Sequence, residues 1–149
     1  MRLKDIREDY DLTQKDMADI LKTTQSNYSR WETGTEIIPL KKLIEFCNFF
    51  DVSMDYVVGI AKVNLGCKSY RINPKVIGNR LRLLRRQKHI TQSSLASLLN
   101  TSQSTISAYE AGKTTLLTIF AIEVCRKYDV SLNWLCGGTN NEVMGVTNK

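Results

Sequence analysis

Two clusters of short polar side chains carry the chemistry this sequence offers. Thr24, Gln25, Ser26 and Asn27 stand together, with Arg30 further along. Ser102, Gln103, Ser104 and Thr105 repeat the cluster later in the chain, with Ala108 in the place of the arginine. These types recognise rather than react: Gln can pair bidentately with adenine, Arg with guanine, and Ser or Thr with donors or acceptors alike. Catalysis has little to draw on. The chain holds one histidine, His89, and four cysteines, Cys47, Cys67, Cys125 and Cys136, with no C-x-x-C spacing. Neither a nucleophile–base pair nor a zinc cluster follows from such a set, and no glycine-rich phosphate loop is present. No enzymatic activity, metal or cofactor is expected, and no small-molecule ligand is evident.

The elements that must position the two clusters are helices. With 149 residues, 42% apolar and 24% charged, the chain has an ordinary globular composition and room for two small domains. Sliding the sequence along itself gives one strong match, at an offset of 78 residues, running from Arg2/Arg80 to Gly59/Gly137 without a gap and identical at about a third of its positions. Within each copy the apolar residues follow a 3.6-residue period, and no run alternates with period two long enough for a strand. In the first copy Leu3, Ile6 and Tyr10 mark one face, Met17, Ile20 and Leu21 a second, Tyr28 and Trp31 a third. Leu40 to Phe50 and Met54 to Val58 supply two more. Start and stop signals agree: Thr13 with Asp16 reads as a capping box, and Ser53 as a cap with Val52 stapled to Val57. Gly34 reads as a stop, Pro39 and Asn73-Pro74 as helix openings. The opening helix of the second copy reads about five residues longer than that of the first. Residues 61–74 form a linker that could reach at most ~45 Å when extended. The small polar tail, 138–149, should fray.

Thr13–Ile20 and Thr24–Thr33, joined by a tight turn, have the spacing of a helix-turn-helix. LTQKDMADILKTTQSNYSRWETG and ITQSSLASLLNTSQSTISAYEAG both resemble the phage-repressor (XRE/Cro) helix-turn-helix family. The shared pattern is T-Q, an apolar-Ala pair, a Thr-or-Ser-Gln-Ser opening of the third helix, an aromatic-Glu-x-Gly ending, and the D-V-S before helix five. The resemblance implies an all-α fold of two tandem five-helix, lambda-repressor-like domains. These would be residues 1–60, with the motif at about 14–33, and residues 75–137, with the motif at about 92–111. It implies that the third helix of each enters the major groove of double-stranded DNA, with the N-terminal end nearest the bases. It implies further that Gln14 and Gln92 start their helices against a phosphate and buttress the base-reading Gln25 and Gln103. The expected DNA-binding set is Gln14, Thr24, Gln25, Ser26, Asn27 and Arg30 in the first copy, and Gln92, Ser102, Gln103, Ser104, Thr105 and Lys113 in the second. Thr24 and Ser102 also cap their helices. Trp31, Tyr109, Tyr28 and Ile106 belong to the core by spacing, and Glu32 and Glu110 hold the turn through Arg7 and Arg85.

Charge divides the copies. The chain carries a net charge of +6, which suits an anionic partner. Residues 1–60 hold 8 basic and 11 acidic side chains, and residues 75–137 hold 9 and 3. Two arrangements stay open. In one, both domains bind DNA, with Lys15, Lys22, Arg30, Lys41 and Lys42 near phosphates and the second domain as the stronger anchor. In the other, the scaffold is a protein-interaction module or antitoxin-like co-regulator whose first domain is a partner surface and only the second binds DNA. The function expected is sequence-specific transcriptional regulation, repression by family precedent, with a homodimer left open. No stretch of about 18 apolar residues spans a membrane, and the charged N-terminus lacks the apolar core of a signal peptide. The expected setting is the cytoplasm of a bacterium or its phage, at the nucleoid, with the cysteines reduced.

Overall fold

A computed structural model describes residues 1–67, 69–139 and 142–146. Among them lie ten helices and no strand. The first copy contributes α1 (Leu3–Asp9), α2 (Gln14–Ile20), α3 (Gln25–Thr33), α4 (Leu40–Phe50) and α5 (Met54–Val58). The second contributes α6 (Pro74–Gln87), α7 (Gln92–Leu98), α8 (Gln103–Glu110), α9 (Thr118–Tyr128) and α10 (Leu132–Cys136). The all-helical expectation holds for both copies.

Local chemistry accounts for most boundaries. Thr13 accepts from the Asp16 N–H at 3.1 Å while the Asp16 carboxylate accepts from the Thr13 N–H at 2.8 Å, completing the capping box. Thr91 and Ser53 cap α7 and α5 by accepting from the Ser94 and Tyr56 N–H groups, without the return bond, and Asn73 caps α6 with Pro74 in its first turn. Gly34 ends α3 in the left-handed region at φ 79°. Two details differ from the sequence reading. Pro39 is the capping residue of α4 and does not lie in its first turn. The helix α6 has 14 residues against 7 for α1, a larger difference than five.

The two copies share one continuous apolar core, with Met17, Tyr28, Phe46, Leu81, Ile106 and Leu135 among its fully buried members. Cys47, Cys125 and Cys136 are buried free thiols, and burial pushes all three upward in pKa. Tyr28, Trp31, Ile106 and Tyr109 point into this core, as their spacing required.

The segment between the copies is not a loose tether. Asn48 grips it from α4, accepting from the Tyr70 N–H at 2.9 Å and donating to the Tyr70 carbonyl at 2.9 Å, and Tyr70 is itself buried. The Asp51 carboxylate accepts from the Cys67 N–H at 2.8 Å, and the Arg71 N–H donates to the Gly137 carbonyl at 2.9 Å. The described part of the tail also folds back. The Ser131 N–H donates to the Met144 carbonyl at 2.7 Å, and Val130 and Gly145 form an isolated antiparallel bridge. Lys68 in the linker, and Asn140, Asn141 and 147–149 in the tail, lie outside the described residues. Non-local polar anchors hold both segments, and such anchors leave no periodicity for a sequence to display.

Across the junction α5 meets α10. The Asp55 carboxylate accepts from the Leu132 N–H and the Ser131 hydroxyl, both at 2.6 Å, and the Arg126 guanidinium donates to the Val58 carbonyl at 2.9 Å. An apolar groove separates Ile37–Lys41, at the start of α4, from Thr115–Ile119, at the start of α9, with Ile72 also lining it.

Candidate nucleic-acid interface

Each third helix is fastened at its inner end and open at its outer one. In the first copy the Arg7 guanidinium donates to Glu32 through Nε at 2.6 Å and Nη2 at 3.2 Å, and through Nη1 to the Leu12 carbonyl at 2.6 Å. The Glu32 side chain is 3% exposed. In the second copy Arg85 repeats the fork on Glu110 at 2.8 and 3.0 Å and reaches the Ile90 carbonyl at 3.0 Å. Arg82 adds a third donor at 3.3 Å, which the sequence did not suggest. Burial alone would raise both glutamates, but hydrogen bonds from Arg7 and Gln14, and from Arg85 and Gln92, outweigh it and hold both carboxyls below the ordinary glutamate range. This is the role expected of Glu32 and Glu110.

At the outer end, Thr24 caps α3 by accepting from the Asn27 N–H at 3.0 Å, and Ser102 caps α8 by accepting from the Thr105 N–H at 3.2 Å. Gln25, Ser26, Gln103 and Ser104 follow these caps and are exposed. Thr23 accepts from the Asn27 amide at 3.2 Å, and Asn27 in turn accepts from Arg30. Arg30 also faces Glu36, with Nε 3.0 Å from the carboxylate. On α8 the Ser102 hydroxyl lies 2.9 Å from those of Ser104 and Thr105. Lys113 is exposed just beyond α8, its N–H bonded to the Ala108 carbonyl at 3.0 Å.

Gln14 and Gln92 open α2 and α7, and their amides turn inward. Their amides donate to Glu32 at 3.0 Å and to Glu110 at 3.3 Å, joining the inner anchor. Gln103 takes its support from Ser93, whose hydroxyl donates to Oε1 at 3.2 Å. An amide at that position can turn either way, and sequence alone does not choose.

Several positive side chains are already engaged. Lys42 donates to the Leu21 carbonyl at 2.6 Å and lies 3.2 Å from Glu45, and Lys15 pairs with Asp19 at 3.6 Å. Arg80 is bound to the Trp134 and Thr139 carbonyls and lies over the Trp134 ring. The arginine stretch of α6 therefore serves the fold at Arg80, Arg82 and Arg85, and presents Arg86 and Lys88 to solvent. Sequence reasoning also passed over Gly78. A Cβ there would lie 2.3 Å from the Tyr109 carbonyl oxygen and 2.7 Å from that of Glu110, so only glycine lets α6 approach the end of α8 so closely. A glycine inside an amphipathic helix was the available signal.

A helix-turn-helix family model matches the chain twice, over residues 3–57 and 81–135. The chain belongs to the helix-turn-helix family. It carries two tandem copies of the XRE type. Two similar proteins, both from Bacillus subtilis (strain 168), are named uncharacterized HTH-type transcriptional regulators. YobD is 32% identical over 59 residues, 40% of this chain and 53% of that protein. YqaE is 41% identical over 56 residues, 38% of this chain and 48% of that protein. The chain thus spans about half the length of the curated relatives it matches. No solved structure matches it. Among the described residues, no helix of this helix-turn-helix protein is long and apolar enough to cross a membrane.

Proposed function

We propose that this chain is a sequence-specific regulator of transcription that binds double-stranded DNA, reading the major groove with α3 and α8. Gln25 and Gln103 are the principal base readers, each at the outer end of a helix whose inner end is locked by a buried Arg–Glu fork. That pairing of a rigid anchor with an exposed polar tip carries the reading, since base recognition needs side chains presented without strain from a fixed element. Thr24, Ser26 and Asn27, with Ser102, Ser104 and Thr105, complete the surface, and Lys113 meets a phosphate. Gln14 and Gln92 act mainly through the anchors, with the partial positive charge of their helix N-termini toward the backbone. Arg30 reaches DNA by exchanging Glu36 and Asn27 for a guanine or a phosphate.

The chain is a built-in pseudo-dimer of two domains, 1–60 and 75–137. The groove shared by the segments that follow α3 and α8 supports placing both third helices toward one duplex. Its operator has two related, unequal half-sites about 34 Å apart, one helical turn. It works in the cytoplasm, at the nucleoid, and represses by occupying its site. The net acidity of the first copy and the engagement of Arg30 and Lys42 favour a second reading, in which that copy binds a protein partner.

Selection from a random duplex library with the full chain, at physiological salt where nonspecific binding is weak, separates the two. Two unequal motifs at one spacing, one altered by Gln25→Ala and the other by Gln103→Ala, are expected. A single motif sensitive only to Gln103→Ala would make the first copy a partner surface, and no enrichment would end the DNA reading.

A further inference from the structure

Two recognition helices on one chain favour a single operator spacing only if something fixes their separation. The repeat places Asp55 and Asn133 at the same position of the two copies, 78 residues apart, and the fold brings them together. The Asp55 N–H, in the first turn of α5, donates to Asn133 Oδ1 at 3.0 Å. In return the Leu132 N–H, which opens α10, and the Ser131 hydroxyl both donate to the Asp55 carboxylate at 2.6 Å. Each side chain therefore caps the other copy's fifth helix. Asp55 is 3% exposed, so these bonds form out of water, where an unmatched partner is most costly.

We infer that Asp55 and Asn133 are positioning residues for operator spacing: a reciprocal cap, one side anionic and the other neutral, locks α5 against α10 and so holds α3 and α8 at one separation. This rests on the reading of both copies as DNA readers. The difference between the two residues matters as much as the contact. Two carboxylates meeting in this space would repel and desolvate together. The first copy is therefore matched to the second copy of its own chain and poorly matched to the first copy of another.

The test uses the full chain and a duplex library that keeps both wild-type half-sites and varies their separation base pair by base pair. Wild type is expected to prefer one separation. In Asn133→Asp, which sets carboxylate against carboxylate, that preference is expected to fall from more than about tenfold to about twofold, with the base preferences of each half-site unchanged. A merely destabilised protein would lose binding at every separation alike. The double change Asp55→Asn with Asn133→Asp transposes the pair and is expected to restore the single spacing. Should Asn133→Asp not fold by circular dichroism, Asp55→Ala, which removes the acceptors without adding charge, carries the same expectation. Undiminished spacing preference in the folded single variant, or no restoration in the double, overturns the inference. Failure of wild type to select any two-part site would instead overturn the reading beneath it.

Discussion

Glu32 and Glu110 suspend the third helices from the first helix of each copy, and the consequences can be worked out residue by residue. Glu32→Ala would leave the buried Arg7 guanidinium with the Leu12 carbonyl and the half-exposed Glu8 carboxylate, 3.8 Å away. Removing one partner of such a pair costs about 3 kcal/mol, read from denaturant unfolding with an unchanged m-value. The pH dependence has a definite sign. Both carboxyls are held below the ordinary glutamate value, so the unfolded chain binds their protons first as pH falls. The stability they contribute is whole above about pH 4.5 and is lost as pH drops from there through their lowered values. Glu32→Gln should flatten that part of the stability profile. At the other end of the recognition helices, Lys113→Ala is expected to weaken binding uniformly across sequences and reduce the salt slope by about 1, measured by titration at several salt concentrations. The roles of Glu32 and Glu110 were legible because both partners recur at a fixed spacing in two copies. The direction of the Gln14 amide was not, because a phosphate and a buried carboxylate make the same demand on an amide.

At the scale of elements, caps were legible and approaches between elements were not. A cap joins residues no more than three apart, so Thr13 with Asp16 and Asn73 with Pro74 could be read directly. The contact of Gly78 with the α8 backbone joins residues more than 30 apart, and only packing reveals it. Gly78→Ala should cost about 3 kcal/mol, because backbone carbonyls rather than flexible side chains oppose the new methyl group. The turns between α2 and α3 and between α7 and α8 hold their own surprise. Lys22 and Asn100 occupy left-handed backbone there, at φ 55° in both, where a glycine would be unstrained. Lys22→Gly is expected to raise stability by about 0.5 kcal/mol, seen as a higher melting midpoint, the gain in backbone relief being partly offset by the added freedom of the unfolded chain.

Considered whole, the molecule packs its two copies around one buried apolar cluster. The buried cluster runs through both copies, Tyr70 and Asn48 tie the connection down, and Arg126 reaches across to Val58. Calorimetry should therefore record one cooperative transition with equal calorimetric and van't Hoff enthalpies, and Arg126→Ala should broaden it toward two. The sequence pointed to two units because a repeat reports what is duplicated and is silent about how the duplicates meet. The pairing of Asp55 with Asn133 has a further consequence, in the currency of heredity. In an assembly of identical chains every mutation arrives on both sides of the axis at once, and a residue there must be its own best partner. Here a single nucleotide change touches one side only, so each half can be revised while the other stays as it was, and the two faces are at liberty to grow apart.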